Sequence, residues 1–424
     1  MDKMKKTALL FPGQGSQYVG MGKVLCEKNK IAMATFEEAS EAIGVDLKAL
    51  CFEADIAELT KTENTQPAVL TASVAAYRTF LELDVEPSFF AGHSLGEITA
   101  LTCSGVIEFS DAVKIVKNRG RFMQEAVPKG IGSMAAIINA DEEAIKKACE
   151  LYTDNNSLVV ISNLNLPDQI VISGHTGAVN NVIDYLAKQD ASASLLNVSA
   201  PFHCPLMKPA ADRFREYLSK YQFKPMKYPV ISNLTALPYE SHDAIIKTLS
   251  AQLISPVYWY NSIKYMESNG VEMAVELGPG EVLVNMMRKN VKAIKFFSFD
   301  NEDDNRTLKV AMSKDYIDDV NENKPLKLMT MCLAITVCTK NNNWGNDEYT
   351  KGVIEPYRDL QKLCDELENA KKEPTTQQME EALLTLEKVF ETKHTPMEER
   401  IARYNEIFQK TGLKDIIGDI GLPA

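Results

Sequence analysis

The sequence predicts an α/β protein in which a large parallel-sheet subdomain carries a smaller inserted one and is followed by a helical C-terminal extension. Three observations lead there. Over the first ~300 residues short apolar runs alternate with helical patterns, and such alternation builds a parallel sheet. Between about 131 and 200 the order becomes β-α-β-β-α-β, that of a ferredoxin-like insert. Past about 301 the strand signals give way to amphipathic helical ones.

Taken in order, Thr7-Ala8-Leu9-Leu10-Phe11 is an unbroken apolar run stopped by Pro12-Gly13, as expected of a strand buried on both faces. Ser88-Phe89-Phe90-Ala91 and Met273-Ala274-Val275-Glu276-Leu277 read the same way. The strands of the insert are expected at 134–138, 158–161, 169–174 and 192–198, with one helix over 141–153 and another between the last two strands. The polar run 301–305 reads as a joint, and Asn341-Asn342-Asn343 with Gly345 as a second loop. Three helices follow. One covers about 356–370. The next opens at Thr375 with Gln378 three residues on and carries Met379, Ala382, Leu383, Leu386, Val389 and Phe390 on one face. The last opens with Thr395-Pro396-Met397-Glu398, read as a capping box with Pro in the first helical position, and ends near Gly412. The expected domains are 1–300, with its insert at about 131–200, and 301–424.

Composition narrows the function classes. The chain has 424 residues, 45% hydrophobic and 25% charged, so it can bury more than one core, and a disordered or collagen-like chain is excluded. Its longest apolar run, 326–338, is too short for a membrane span, and the charged 1–6 segment is not followed by a signal-peptide core; a cytoplasmic protein is expected. The eight cysteines form no C-x-x-C pair and read as reduced thiols. The five histidines lack ligand spacing, so no metal site is expected. Net charge is −12, with 24 acidic against 17 basic residues beyond 301, and the single basic series is Arg288, Lys289, Lys292 and Lys295. Neither nucleic acid nor a membrane is expected as a partner.

Gly92-His93-Ser94-Leu95-Gly96-Glu97 lies between an apolar run and a helical pattern. In that context G-x-S-x-G makes a sharp strand-to-helix turn, which projects a serine hydroxyl at the helix N-terminus and aims the next residue's N–H at an oxyanion. The loop Phe11-Pro12-Gly13-Gln14-Gly15-Ser16-Gln17 follows the first strand. Tyr18 breaks a dinucleotide fingerprint and Gln17 breaks a Walker A loop, which leaves a glycine-rich turn at the edge where ligand crevices form. A serine nucleophile needs a base. His203, in Ala200-Pro201-Phe202-His203-Cys204-Pro205, is the best placed of the five histidines, whereas His93 reads as structural.

Together with Arg119-Gly120-Arg121-Phe122-Met123-Gln124 and Glu276-Leu277-Gly278-Pro279-Gly280, these motifs, ordered over about 5–300, resemble the malonyl-CoA:acyl carrier protein transacylases. They are similar both to the stand-alone enzyme of fatty acid synthesis and to polyketide synthase acyltransferases, and the pattern from Val337-Cys338-Thr339-Lys340-Asn341 through Tyr357-Arg358 resembles the tails of some discrete, trans-acting members. The resemblance implies a hydrolase-like large subdomain within 1–300 and no cofactor, malonyl-CoA being the substrate. It implies that Ser94 takes up the malonyl group and passes it to the phosphopantetheine thiol of an acyl carrier protein, for a polyketide or fatty acid synthase. His203 would be the base, oriented by a backbone carbonyl near Gln252 rather than by a carboxylate. The N–H groups of Leu95 and Gln14 would form the oxyanion hole.

Arg119 would pair with the malonyl carboxylate, with Gln14 and Gln252 lining the pocket and Phe202 crowding a branched extender unit. Without the resemblance, Arg119 reads as a surface residue on a helix shared with Lys114, Lys117 and Arg121. Two residues depart from the family pattern, Asp168 and Pro201. An acyl hydrolase clearing stalled carrier-protein thioesters is a second reading, which the presence of Arg119 disfavours. A carrier-protein docking module, with the acidic tail recruiting synthase components, is a third. The series from Arg288 to Lys295 is the candidate contact for an acidic carrier.

Overall fold

Five strands form an all-parallel sheet in the order β7-β2-β1-β8-β9. They are β1 (Thr7–Phe11), β2 (Phe89–Gly92), β7 (Val230–Ile231), β8 (Met273–Glu276) and β9 (Lys295–Ser298). The structure, a computed structural model, describes residues 6–417 and 421, apart from 84, 289, 313–323, 344 and 371. Every residue of β1 is buried, because helices cover the sheet on both faces. On one side Ala8, Leu10, Ala91 and Ala274 pack with Trp259, Ile263 and Met266. β7 and β9 were not anticipated. β7 is two residues long, too short for a period, and β9 includes Lys295, which the charge pattern had grouped with the basic series.

The insert has the expected topology. β3 (Gly132–Ile138), β4 (Val159–Leu166), β5 (Gln169–His175) and β6 (Ser192–Leu195) form an antiparallel sheet ordered β4-β5-β3-β6. Helices Glu142–Leu151 and Thr176–Ala187 bury Ile145, Ala148, Val179, Val182 and Leu186 against Ala135, Ile137, Ile170 and Ile172. The insert is tied to the segment before helix Trp259–Ser268 where Leu164 N–H donates to Val257 O and Val257 N–H to Ser162 O, both at 2.9 Å. Of the two departures from the family pattern, Asp168 sits in the exposed β4–β5 turn. Pro201 packs on Gly132, where a Cβ would come within 2.3 Å of its ring.

The chain divides into two compact units, Met1–Lys309 and Val310–Ala424. The expected joint at 301–305 is instead a helix start: the Asn301 side chain accepts the amides of Asp303 and Asp304 at 3.0 Å each and opens Glu302–Met312. In the second unit the apolar run 326–338 is the core of helix Lys324–Cys338, with Leu328, Met329 and Cys332 fully buried against Leu383, Leu386 and Phe390. The capping box at Thr375 is present, with Thr375 N–H donating to Gln378 Oε1 at 2.9 Å and Gln378 N–H to Thr375 Oγ1 at 3.3 Å. The one at Thr395 is not. Thr395 N–H closes the preceding helix on Phe390 O, so the cap falls to Pro396 in extended conformation and Met397 is the first helical residue. Gly412, at φ 69°, ends that helix as expected. Among the described residues no helix is long and apolar enough to cross a membrane, and all eight cysteines are unpaired.

Candidate active site

The turn after β2 is closed by contacts that only glycine permits. A Cβ on Gly92 would lie 1.9 Å from Gly96 O, and one on Gly96 would lie 2.0 Å from Phe11 O. His93 N–H donates to Phe11 O at 3.0 Å, and a Cβ on Gly13 would meet His93 O at 2.4 Å. The loop after β1 is thereby locked against the elbow. Ser94 takes φ 52° and ψ −101° at the start of the wholly buried helix Leu95–Cys103. Among the described residues, no acceptor within the chain takes the amide of Gln14 or of Leu95.

Ser94 Oγ lies 2.7 Å from His203 Nε2, and His203 Nδ1 lies 2.9 Å from Gln252 O. A carbonyl can only accept, so Nδ1 carries the ring proton and Nε2 presents a lone pair to the serine hydroxyl. Burial, reinforced by the Arg119 charge, pulls His203 down to about 3, so the imidazole is neutral at physiological pH. The third element is a main-chain carbonyl, as the family resemblance implied.

Arg119 occupies the buried face of helix Phe109–Glu125 with Ala112, Ile115, Val116 and Met123, while Lys114 and Lys117 are half-buried and Arg121 is exposed. The helical period separates it from its basic neighbours, and its 1% exposure overturns the surface reading. Its Nη1 donates to Gln66 Oε1 at 3.0 Å, and its Nη2 to Gln252 Oε1 at 2.8 Å and to Ser94 Oγ at 3.2 Å. Its Nε has no hydrogen-bond partner. Among the described residues no carboxylate pairs with it directly. Burial lowers the guanidinium to about 10, still ionised at neutral pH.

Gln14 Nε2 donates to Thr62 Oγ1 at 3.4 Å, and Thr62 Oγ1 is 2.8 Å from Ser199 Oγ. Phe202 is buried beside His203. His93 is structural, as expected: its Nε2 is 2.9 Å from Asn165 Oδ1 and its ring meets Trp259 edge-on.

Three partners of the site escaped the sequence reading. Asn233 straddles the elbow, its Oδ1 accepting Ser94 N–H and its Nδ2 donating to Gly92 O, each at 2.7 Å. Gln66 holds Arg119, and the buried Glu97 holds Gln252. Asn233 lies just past β7, on the strand-end edge where α/β sites form, but that strand is too short to announce it; Gln66 is a polar residue leading the apolar run Pro67-Ala68-Val69-Leu70, a signal that was available. Of the basic series, Arg288 pairs with Asp304 and with Glu281, Lys292 Nζ lies 3.5 Å from Arg288 O, Lys292 and Lys295 are exposed, and Lys289 lies outside the described residues.

A serine on a G-x-S-x-G elbow, a neutral histidine against it and a buried cation beside it, set at the strand ends of an α/β fold, are the arrangement of an acyl-transfer enzyme. The chain belongs to the acyl transferase domain family, whose pattern matches residues 8–329. It is 36% identical over 399 residues to a malonyl CoA-acyl carrier protein transacylase of Bacillus subtilis, covering 94% of this chain and 99% of that one. That alignment is too long to leave out the second unit. A malonyl CoA-acyl carrier protein transacylase of Escherichia coli K12 is 46% identical over 293 residues, 69% of this chain and 94% of its own. Among solved structures, an acyl carrier protein S-malonyltransferase of Vibrio cholerae is 42% identical with a TM-score of 0.69, covering 72% of this chain and 99% of that one. A malonyl-transacylase in complex with its type II PKS acyl-carrier protein is 40% identical with the same TM-score and the same coverage.

Proposed function

We propose that the protein is an acyl carrier protein S-malonyltransferase of the cytoplasm, which moves malonyl from malonyl-CoA through an ester on Ser94 to the phosphopantetheine thiol of a carrier protein, for a polyketide or fatty acid synthase. Ser94 Oγ attacks the thioester carbonyl as His203 Nε2 takes its proton. The C–S bond breaks, and the proton passes to the departing CoA sulfur. The carrier thiol then gives its proton to His203 and attacks the ester, and Ser94 regains a proton as it leaves. Such proton work contributes roughly 10²–10⁴ in rate. The N–H groups of Leu95 and Gln14 stabilise both oxyanions, each donor worth roughly 10²–10³. Atoms and charges balance without a cofactor.

The observation that carries the substrate assignment is Arg119. A guanidinium at 1% exposure, with neutral acceptors on both terminal nitrogens and none on Nε, is costly to bury unless an anion joins it. The malonyl carboxylate is that anion, and its two oxygens match the guanidinium fork. Phe202 beside the base disfavours an α-methyl branch by ~1–3 kcal/mol. Intact-protein mass spectrometry after mixing with malonyl-CoA, acetyl-CoA or methylmalonyl-CoA tests the reading. A malonyl adduct on the wild type that is absent from Ser94→Ala supports it; acetyl turnover without any malonyl adduct would sink it.

A further inference from the structure

Glu97, the last residue of the elbow motif, is fully buried and touches neither Ser94 Oγ nor His203, so the proposed reaction gives it no work. Its Oε2 accepts Gln252 Nε2 at 2.6 Å and Asn233 N–H at 3.1 Å, and its Oε1 accepts the Tyr239 hydroxyl at 2.5 Å. Gln252 is the hub of the site. Its main-chain O orients His203, its Nε2 also donates to Ser94 O at 3.0 Å, and its Oε1 accepts Arg119 Nη2 at 2.8 Å.

An amide has one donor end and one acceptor end, and a guanidinium can only donate. If the Gln252 amide turned over, its NH₂ would face Arg119 Nη2, donor against donor, and Arg119 would lose one of its acceptors. What fixes the amide are the two oxygens on its other side, Glu97 Oε2 at 2.6 Å and Ser94 O at 3.0 Å, of which the carboxylate is the nearer and the one that substitution can remove. Resting on the malonyltransferase reading above, we propose that Glu97 is a positioning residue for malonyl selectivity: its Oε2 locks the polarity of the Gln252 amide, which in turn holds the Arg119 fork in place for the substrate carboxylate.

The relay needs an acceptor atom at residue 97, and a net charge there is not required. Glu97→Gln can keep an oxygen toward Gln252, whereas Glu97→Met cannot. The readout is the ratio of kcat/KM for malonyl-CoA to that for acetyl-CoA, with carrier protein as acceptor. Any loosening of the elbow, including loss of the Arg119 bond to Ser94 Oγ, slows both substrates and cancels in the ratio, whereas loss of the guanidinium fork adds a penalty only for the substrate with a carboxylate.

The expected result is a fall of tenfold or more in Glu97→Met and of less than threefold in Glu97→Gln. An unchanged ratio in Glu97→Met overturns the relay, and an equal fall in both variants overturns it in favour of a direct effect of charge. If Glu97→Met does not fold, Gln252→Leu, which keeps the main-chain carbonyl on His203, gives the same reading: a tenfold fall supports the relay, an unchanged ratio removes it. A wild type that shows no malonyl preference would instead sink the malonyltransferase reading and leave no selectivity for Glu97 to tune.

Discussion

Ser94 and His203 both stand at positive φ, 52° and 57°, with their reacting atoms 2.7 Å apart. Neither side chain favours that backbone region, and such positions cost about 1–3 kcal/mol each unless the surroundings impose them. Around Ser94 the imposition is visible: Asn233 holds its N–H and Gln252 its C=O, so side chains from two distant segments fix the strained residue.

Replacing Ser94 with glycine should therefore relieve strain while removing the nucleophile. Because either change removes the hydroxyl bonded to His203 and Arg119, Ser94→Gly is compared with Ser94→Ala: it is expected to be about 0.5–1 kcal/mol the more stable in urea denaturation, and neither should form a malonyl adduct. A glycine variant less stable than the alanine one would mean that the elbow is not strained in the folded chain.

The depressed His203 sets the acid limb of the rate and part of the pH dependence of stability. The folded residue titrates near 3 against an ordinary 6.5, so the base stays neutral and kcat/KM for malonyl-CoA should not fall with that residue until the pH is well below 6. For stability, the unfolded chain binds the proton more readily between about 6.5 and 3, so this contribution is complete above 6.5 and is lost as pH falls through that window. His203→Gln should flatten the slope of urea-determined stability between pH 6.5 and 4. A slope identical to wild type would contradict the assigned burial.

Arg119 trades stability for recognition. Arg119→Met removes a buried cation that no carboxylate among the described residues pairs with directly, Glu97 acting on it only across Gln252, so the melting temperature should rise or hold, while malonyl transfer loses the charge-assisted pairing and falls by roughly 10–100-fold in kcat/KM. Acetyl transfer should not fall with it. Equal losses for both substrates would show that the guanidinium serves the elbow rather than the carboxylate.

Where the catalytic unit ends is also measurable. Every residue of the proposed reaction lies within Met1–Lys309, and Asp304 and Asn301 belong to the start of helix Glu302–Met312 while bonding Arg288 and Glu281. A chain ending at 312 should transfer malonyl to an isolated carrier protein at the full-length rate, whereas one ending at 300 loses Asp304 and should melt several degrees lower. Equal melting temperatures would return the boundary to 300.

Strands and helices with strong periods were legible in the chain: β1, the order of the insert and the capping box at Thr375 all follow from spacing and local chemistry. Ser94 and His203 stood out as candidates in their motifs, and Arg119 only through the family resemblance; the structure brings the three side chains together. The false capping box at Thr395 shows the limit, since whether Thr395 caps forward or closes the helix behind it depends on a bond to Phe390 that no motif encodes.

The sequence by itself determined the nucleophile turn, because glycines at 92 and 96 can serve no other close backbone approach there, and it determined the apolar faces that build both units. Only the tertiary structure decided which polar side chains complete the site. Gln66, Asn233 and Glu97 come from three separate segments, Gln252 was named only through the family resemblance, and a hydrogen bond between side chains 155 residues apart, as between Gln252 and Glu97, leaves no period or spacing in the chain. Folding alone brings such donors and acceptors within 3 Å of one another, and burial then makes their partners obligatory.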